Sequence, residues 1–168
     1  MVYSANYDFP RLQEEKTGEY ALQRTREPSD YALLRQLEAQ YGRKLLVEEC
    51  WQQLLPEAGI LISPLLSGGT LEQRFREAAE VMPGRCWLYG ETMHHFLPLP
   101  CPSGQAQPMD FDPQTLPRSF FAEEFCCRCS CSTDPPGLYL FDTLETLEEK
   151  IQLARRCGFR GVILPKDR

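Results

Sequence analysis

The apolar positions of this chain switch between two periods, and the switch is clearest from Gly137 onward. Leu138 to Phe141 is a short unbroken apolar run ending at Asp142, and Val162 to Leu164 is another, flanked by Gly161 and Pro165. Such runs suit strands buried on both faces of a sheet. Between them, Thr143 to Cys157 carries Leu144, Leu147, Ile151 and Ala154 at helical spacing. Glu145, Glu148 and Glu149 near its start and Arg155 and Arg156 near its end match the helix dipole. Gly158 suits the residue that closes a helix in a left-handed conformation. The pattern predicts a strand–helix–strand unit with the two strands parallel and the helix crossing right-handed between them.

A related pattern recurs upstream. Gly42 precedes Arg43, Lys44 and the apolar run from Leu45 to Val47, and Gly84 precedes Arg85 and the run from Cys86 to Tyr89. The interval from Gly42 to Gly84 suits one or two α/β units, and that from Gly84 to Gly158 a unit carrying a long insertion. Ser29 or Asp30 is placed to cap a helix reaching Tyr41, with Leu33, Leu34, Leu37 and Tyr41 inward. Thr70 and Gln73 form a capping-box pair for a helix with Leu71, Phe75, Ala78, Ala79 and Met82 on one face, ended by Pro83 and Gly84. Cys50 to Leu55 is expected as a short helix before a strand at Gly59 to Ile62. Tyr3 to Phe9 is a candidate first strand. Arg11 to Glu27 is polar and charged and reads as a loop with partial structure. Met93 to Arg118 holds six of the 14 prolines, which argues against a regular helix or a central strand and for a flap or wrapped insertion.

These elements predict an α/β fold over residues 1–168: one domain of five or six mostly parallel strands with flanking helices, in the manner of a shortened TIM-barrel-like sheet, with an irregular Pro-rich insertion at about 93–118. The length of 168 residues suits one such domain.

Charge and cysteine content narrow the function classes. A net charge of −6 and a pI near 5.0, with no basic stripe, argue against nucleic acid as a partner. No apolar run is long enough to span a membrane, and Met1 to Pro10 lacks the basic and apolar regions of a secretory signal. Eight cysteines without that signal suggest reduced thiols in the cytoplasm.

Ligands of parallel α/β sheets bind beyond the C-terminal strand ends. There the chain carries Glu48 and Glu49, Glu91, Asp142 and, after the last strand, Lys166 and Asp167; Asp8 joins them if the first strand runs from Tyr3 to Phe9. Asp8, Glu48, Glu91 and Asp142 are therefore the candidate ligand-binding residues, expected to converge under the Pro-rich loop. A sugar, a metal or a cationic group suits such a cluster, and a carboxylate pair about 5–10 Å apart suits glycoside hydrolysis. The structural alternative is that Asp142 caps the helix after Thr143. The turn at Gly68, Gly69 and Thr70 offers backbone N–H groups to an anion, although its spacing fits neither a P-loop nor a dinucleotide fingerprint, and turn-making is the favoured role.

Cys126 to Ser132 is the most unusual local composition. Cys127, Cys129 and Cys131 alternate with Arg128, Ser130 and Ser132, as in a half-buried strand. The alternative is a metal site built from Cys126, Cys127, Cys129 and Cys131 with His94 and His95, and Cys101 as a further ligand. Pairing of Cys86 or Cys101 with these histidines as a nucleophile has no supporting signature.

Leu138 to Lys150, continued by Leu153 to Val162, resembles the last strand–helix–strand of family 18 glycoside hydrolases, including spore-cortex types: an aromatic–acid strand end, a lysine-bearing helix, then glycine and a final Gly-Val strand. The resemblance covers about a fifth of the chain and implies a shortened barrel-like sheet. The family's series of aspartates ending in a catalytic Glu has no counterpart, since Trp87 to Glu91 lacks the aspartates. The leading expectation is a domain that binds a small ligand, carbohydrate among the classes, or acts weakly on it, without a cofactor. An acidic protein-binding module using the Pro-rich loop and Phe120–Phe121 is the second, and a thiol or metal protein the third.

Overall fold

The computed structural model describes residues 2–3, 6–8, 20–65 and 69–164, with side chains described in the last two spans. In chain order the strands are β1 (Val2–Tyr3), β2 (Asn6–Asp8), β3 (Tyr20–Gln23), β4 (Leu45–Glu48), β5 (Gly59–Ile62), β6 (Cys86–Tyr89), β7 (His94–Pro98), β8 (Gln107–Pro108), β9 (Ser119–Ala122), β10 (Cys127–Thr133), β11 (Pro136–Phe141) and β12 (Gly161–Ile163). The α-helices are α1 (Tyr31–Tyr41), α2 (Leu71–Val81) and α3 (Leu144–Arg156).

One sheet runs β1-β3-β4-β5-β6-β12-β2. Its five central strands, β3, β4, β5, β6 and β12, are parallel and curl into a half-barrel, and β1 and β2 close the two edges antiparallel. The five strands are almost wholly buried, which is why they read as apolar runs. Leu45, Val47, Ile60, Ile62, Cys86, Leu88 and Val162 point outward to the helices, where Leu34, Phe75, Ala78, Leu153 and Ala154 meet them. Tyr20, Leu22, Leu46, Leu61, Trp87 and Ile163 form the inner face. Gly59 is required there: a Cβ would lie 2.5 Å from Leu46 Cδ2 and 3.0 Å from the Trp87 indole.

The second sheet is antiparallel, ordered β8-β7-β11-β10-β9. One face buries Met93, Ala122, Cys127, Cys129 and Leu140, with Leu65 packing from the connection after β5. On the other, Phe111 packs 4.8 Å from Tyr139 and 3.9 Å from His94, ring centre to ring centre.

The strand–helix–strand expectation is corrected here. β11 and β12 are not partners. β11 lies between β7 and β10, whereas β12 pairs parallel with β6 through Gly161↔Trp87 and Val162↔Leu88. The parallel unit is β6–α3–β12, and the whole second sheet is inserted between β6 and α3. The long interval between Gly84 and Gly158 is that insertion.

Other expectations change as well. Residues 93–118 do contain an interior strand, β7; Pro98 sits at its last position, Pro108 in the edge strand β8 and Pro113 at the start of a 3-10 turn reaching Thr115, where a missing N–H costs little, and Pro100, Pro102 and Pro117 lie in the connections. The partial structure expected in the polar stretch from Arg11 to Glu27 is β3, a buried strand of the half-barrel. In α1, Leu33 is 52% exposed and Tyr41 36%, while Glu38 is buried. Glu38 accepts the Glu57 N–H (2.9 Å) and pairs with Arg35 (2.5 Å), so a loop needing acceptors takes the inward position. Leu144, placed inward by helical spacing, is 82% exposed, because α3 turns Thr146, Lys150, Leu153 and Ala154 to the interior. Thr70 caps α2 by accepting the Gln73 N–H (3.2 Å), but the Gln73 side chain donates to Glu77, so only one arm of the box forms. α3 has both arms, between Thr143 and Thr146. No described helix is long and apolar enough to cross a membrane.

Candidate functional site at the mouth of the half-barrel

Alternation along the strands sets the site. Leu22, Leu46, Leu61 and Trp87 face inward, so the residues two positions further on, Arg24, Glu48, Ser63 and Tyr89, follow them on the same face at the C-terminal ends. Their contacts agree. Arg24 Nε donates to Glu48 Oε1 at 2.5 Å, and its guanidinium lies 4.0 Å from the centre of the Tyr89 ring. Arg26 Nη2 reaches Glu48 Oε2 at 3.3 Å. The Ser63 hydroxyl donates to Glu91 Oε2 at 3.2 Å, linking β5 to the segment after β6. Glu91 is brought there by a tight turn in which its N–H donates to Tyr89 O (2.7 Å) and that of Gly90 to Ile163 O (2.8 Å). A Cβ on Gly90 would come within 2.5 Å of Leu164 Cδ2.

Four adjacent parallel strands thus supply two carboxylates, a guanidinium, a hydroxyl and a phenol above an apolar floor. The Glu48 side chain is 9% exposed and Arg24 36%, so their pairing is partly shielded from water. Burial works against the Arg24 charge, but contacts with Glu48 and Tyr89 outweigh it and raise the guanidinium above its ordinary range. Glu91 is half-buried and has no cationic partner among the described residues. The second sheet supplies His95 nearby. Burial lowers its pKa, the neighbouring His94 does the same, and the charge of Glu91 opposes both. The His94 N–H donates to His95 Nδ1 (3.1 Å), which leaves Nε2 as the protonated nitrogen of the neutral ring.

Of the four predicted ligand residues, Glu48 and Glu91 belong to this mouth. Asp142 does not. It ends β11 in the other sheet, and its side chain is fully buried. Lys150 Nζ donates to both its oxygens (2.7 and 2.6 Å), Met93 N–H to Oδ2 (2.6 Å) and Thr146 Oγ1 to Oδ1 (2.8 Å), so no acceptor is left for a ligand. Asp8 is also misplaced: β2 runs antiparallel to β12 and pairs Asp8 with Gly161, at the N-terminal end of the parallel strands. Its side chain lies outside those described. Glu49 points to the helix side, paired with Arg74, and Lys166, Asp167 and Gly68 lie outside the described residues. Arg24, Ser63 and Tyr89 were missed because only acids were sought at strand ends. Continuing the inward parity two residues past Leu22, Leu61 and Trp87 finds all three.

The cysteine tract is strand β10, as alternation predicts. Cys127 and Cys129 are buried opposite Ala122 and Leu140, whereas Cys131 is exposed. Cys126 stands outside the strand, with φ +51, in the turn from β9. Burial pushes the Cys86 and Cys127 thiols up to about 12 and Cys129 up to about 11, far from a thiolate at neutral pH. His94 Nε2 is 2.9 Å from Phe111 O. Among the described residues no three of His, Cys, Asp or Glu gather as metal ligands.

The fold and mouth define an α/β half-barrel domain with an inserted antiparallel sheet. No known protein family, curated protein or solved structure matches the chain in comparison.

Proposed function

We propose that this chain binds a small polyhydroxylated ligand, of the carbohydrate class, at the mouth formed by Arg24, Glu48, Ser63, Tyr89 and Glu91. The observation that carries the reading is the shared inward parity of these residues on four neighbouring strands, at the sheet edge where α/β proteins hold ligands. Carboxylates accept hydrogen bonds from vicinal hydroxyls, and Arg24 and Ser63 donate to ring and hydroxyl oxygens.

Binding is favoured over hydrolysis. Two-carboxylate hydrolysis needs a second free acid or base, and Glu48 is committed to Arg24 and Arg26. Eight cysteines without a disulfide among them favour a reducing, cytoplasmic setting, and the acidic charge disfavours nucleic acid.

Calorimetric titration with a panel of monosaccharides, disaccharides and inositols tests the reading. At least one should bind wild type, and Glu91→Gln should weaken it by about 1.5–3 kcal/mol, the worth of a hydrogen bond to a charged group. No binding across the panel, or equal binding by the variant, contradicts the proposal.

A further inference from the structure

Away from the mouth, β9 is the edge strand of the second sheet. Edge strands are templates for further pairing, and proteins usually protect them. This one carries Phe120 and Phe121, 49% and 42% exposed, so its apolar side chains are presented rather than covered. Phe121 separates two grooves. One, about 550 Å³, is bounded by Arg128 and by Glu145, Glu148 and Glu149 at the start of α3. The other, about 420 Å³, is bounded by Glu123 and Glu124 of the β9–β10 turn, with Glu149 and Arg156. All five glutamates are exposed, and none forms an ion pair among the described residues. Arg128 is already held by Ser119, which accepts from Nη2 at its backbone O (3.1 Å) and Oγ (2.9 Å).

We infer that β9 is a docking edge for an extended, basic segment of another protein, which adds to the sheet as a strand, covers Phe121 and sets lysine or arginine side chains into the acidic grooves on either side. Backbone pairing supplies affinity in such strand addition, and side-chain pockets supply selectivity. The aromatic edge marks the surface, and the glutamates select the partner's charge. A second copy of this chain is a poorer occupant. Pairing β9 with itself brings the same patch against itself, so the uncompensated glutamates of both copies face each other. The inference is independent of the ligand proposed for the mouth.

Selection from a random displayed peptide library tests it, with binding of the enriched peptides measured by fluorescence anisotropy. Enriched peptides should carry net positive charge and β-branched residues and should weaken as salt is raised. Phe121→Ser and, separately, Glu148→Gln combined with Glu149→Gln should each weaken them about tenfold, while Glu91→Gln leaves them unchanged. The double glutamine variant alters only exposed side chains, so it reads the charge requirement even where Phe121→Ser perturbs folding. The inference is overturned by enrichment of neutral or acidic peptides, by no enrichment, by peptides that bind both variants as they bind wild type, or by self-association of the wild-type chain through β9.

Discussion

Replacing Lys150 by Met should destabilise the protein more than any surface change. Lys150 and Asp142 are both fully buried, with Nζ–O distances of 2.7 and 2.6 Å. Met fills nearly the same volume, so little cavity arises and the effect isolates the lost charge. Asp142 keeps the Met93 N–H and the Thr146 hydroxyl but becomes a buried carboxylate without its cation. Breaking such a pair from one side costs about 3–5 kcal/mol, a large part of the roughly 5–15 kcal/mol that stabilises a typical domain. Urea unfolding followed by tryptophan fluorescence should show a midpoint lowered accordingly, with an unchanged slope. Replacing Asp142 by Leu in the same chain should recover only part of the loss, because the Met93 N–H and the Thr146 hydroxyl then lose an acceptor, at about 1–3 kcal/mol for each group left unsatisfied. A loss below about 1 kcal/mol for Lys150→Met would mean the pair behaves as a surface ion pair, and the burial argument would fail.

Two further expectations follow from the site and the strand. His95 should titrate below its ordinary 6.5, and further below in Glu91→Gln, because burial disfavours its charge and Glu91 is the main opposing influence; NMR of the imidazole protons reads both midpoints. With the folded value depressed, the stability from neutral His95 is complete above the unfolded pKa and is lost as pH falls through the window below it. Thiol labelling of the native protein followed by mass spectrometry should modify exposed Cys50 and Cys131 first and reach Cys86, Cys127 and Cys129 only on unfolding; rapid modification of Cys127 would contradict the packing of β10.

How much of this was readable from the residues depends on what period and composition encode. Apolar runs located β4, β5 and β6, and alternation located β10, because burial on both faces or on one leaves its mark on local sequence. Neither pattern said which strands pair. β11 and β12 are equally apolar, and only the return of α3 across the inserted sheet puts β12 beside β6. β3 was hidden because its four residues sit next to a charged stretch. Asp142 was misplaced for the same topological reason: the strand-end rule holds for the parallel sheet, and β11 is in the antiparallel one. Glu48 and Glu91 lie at the C-terminal strand ends where they were expected, because their strands were assigned to the right sheet.

The most direct test of the account is amide chemical-shift mapping with the tightest-binding sugar or polyol from the titration panel. Binding at the mouth predicts shifts clustered at Arg24, Glu48, Ser63, Tyr89 and Glu91, with the β9 residues unmoved and the shifts abolished or much reduced in Glu91→Gln. Shifts clustered elsewhere, or the same pattern retained in that variant, would contradict it.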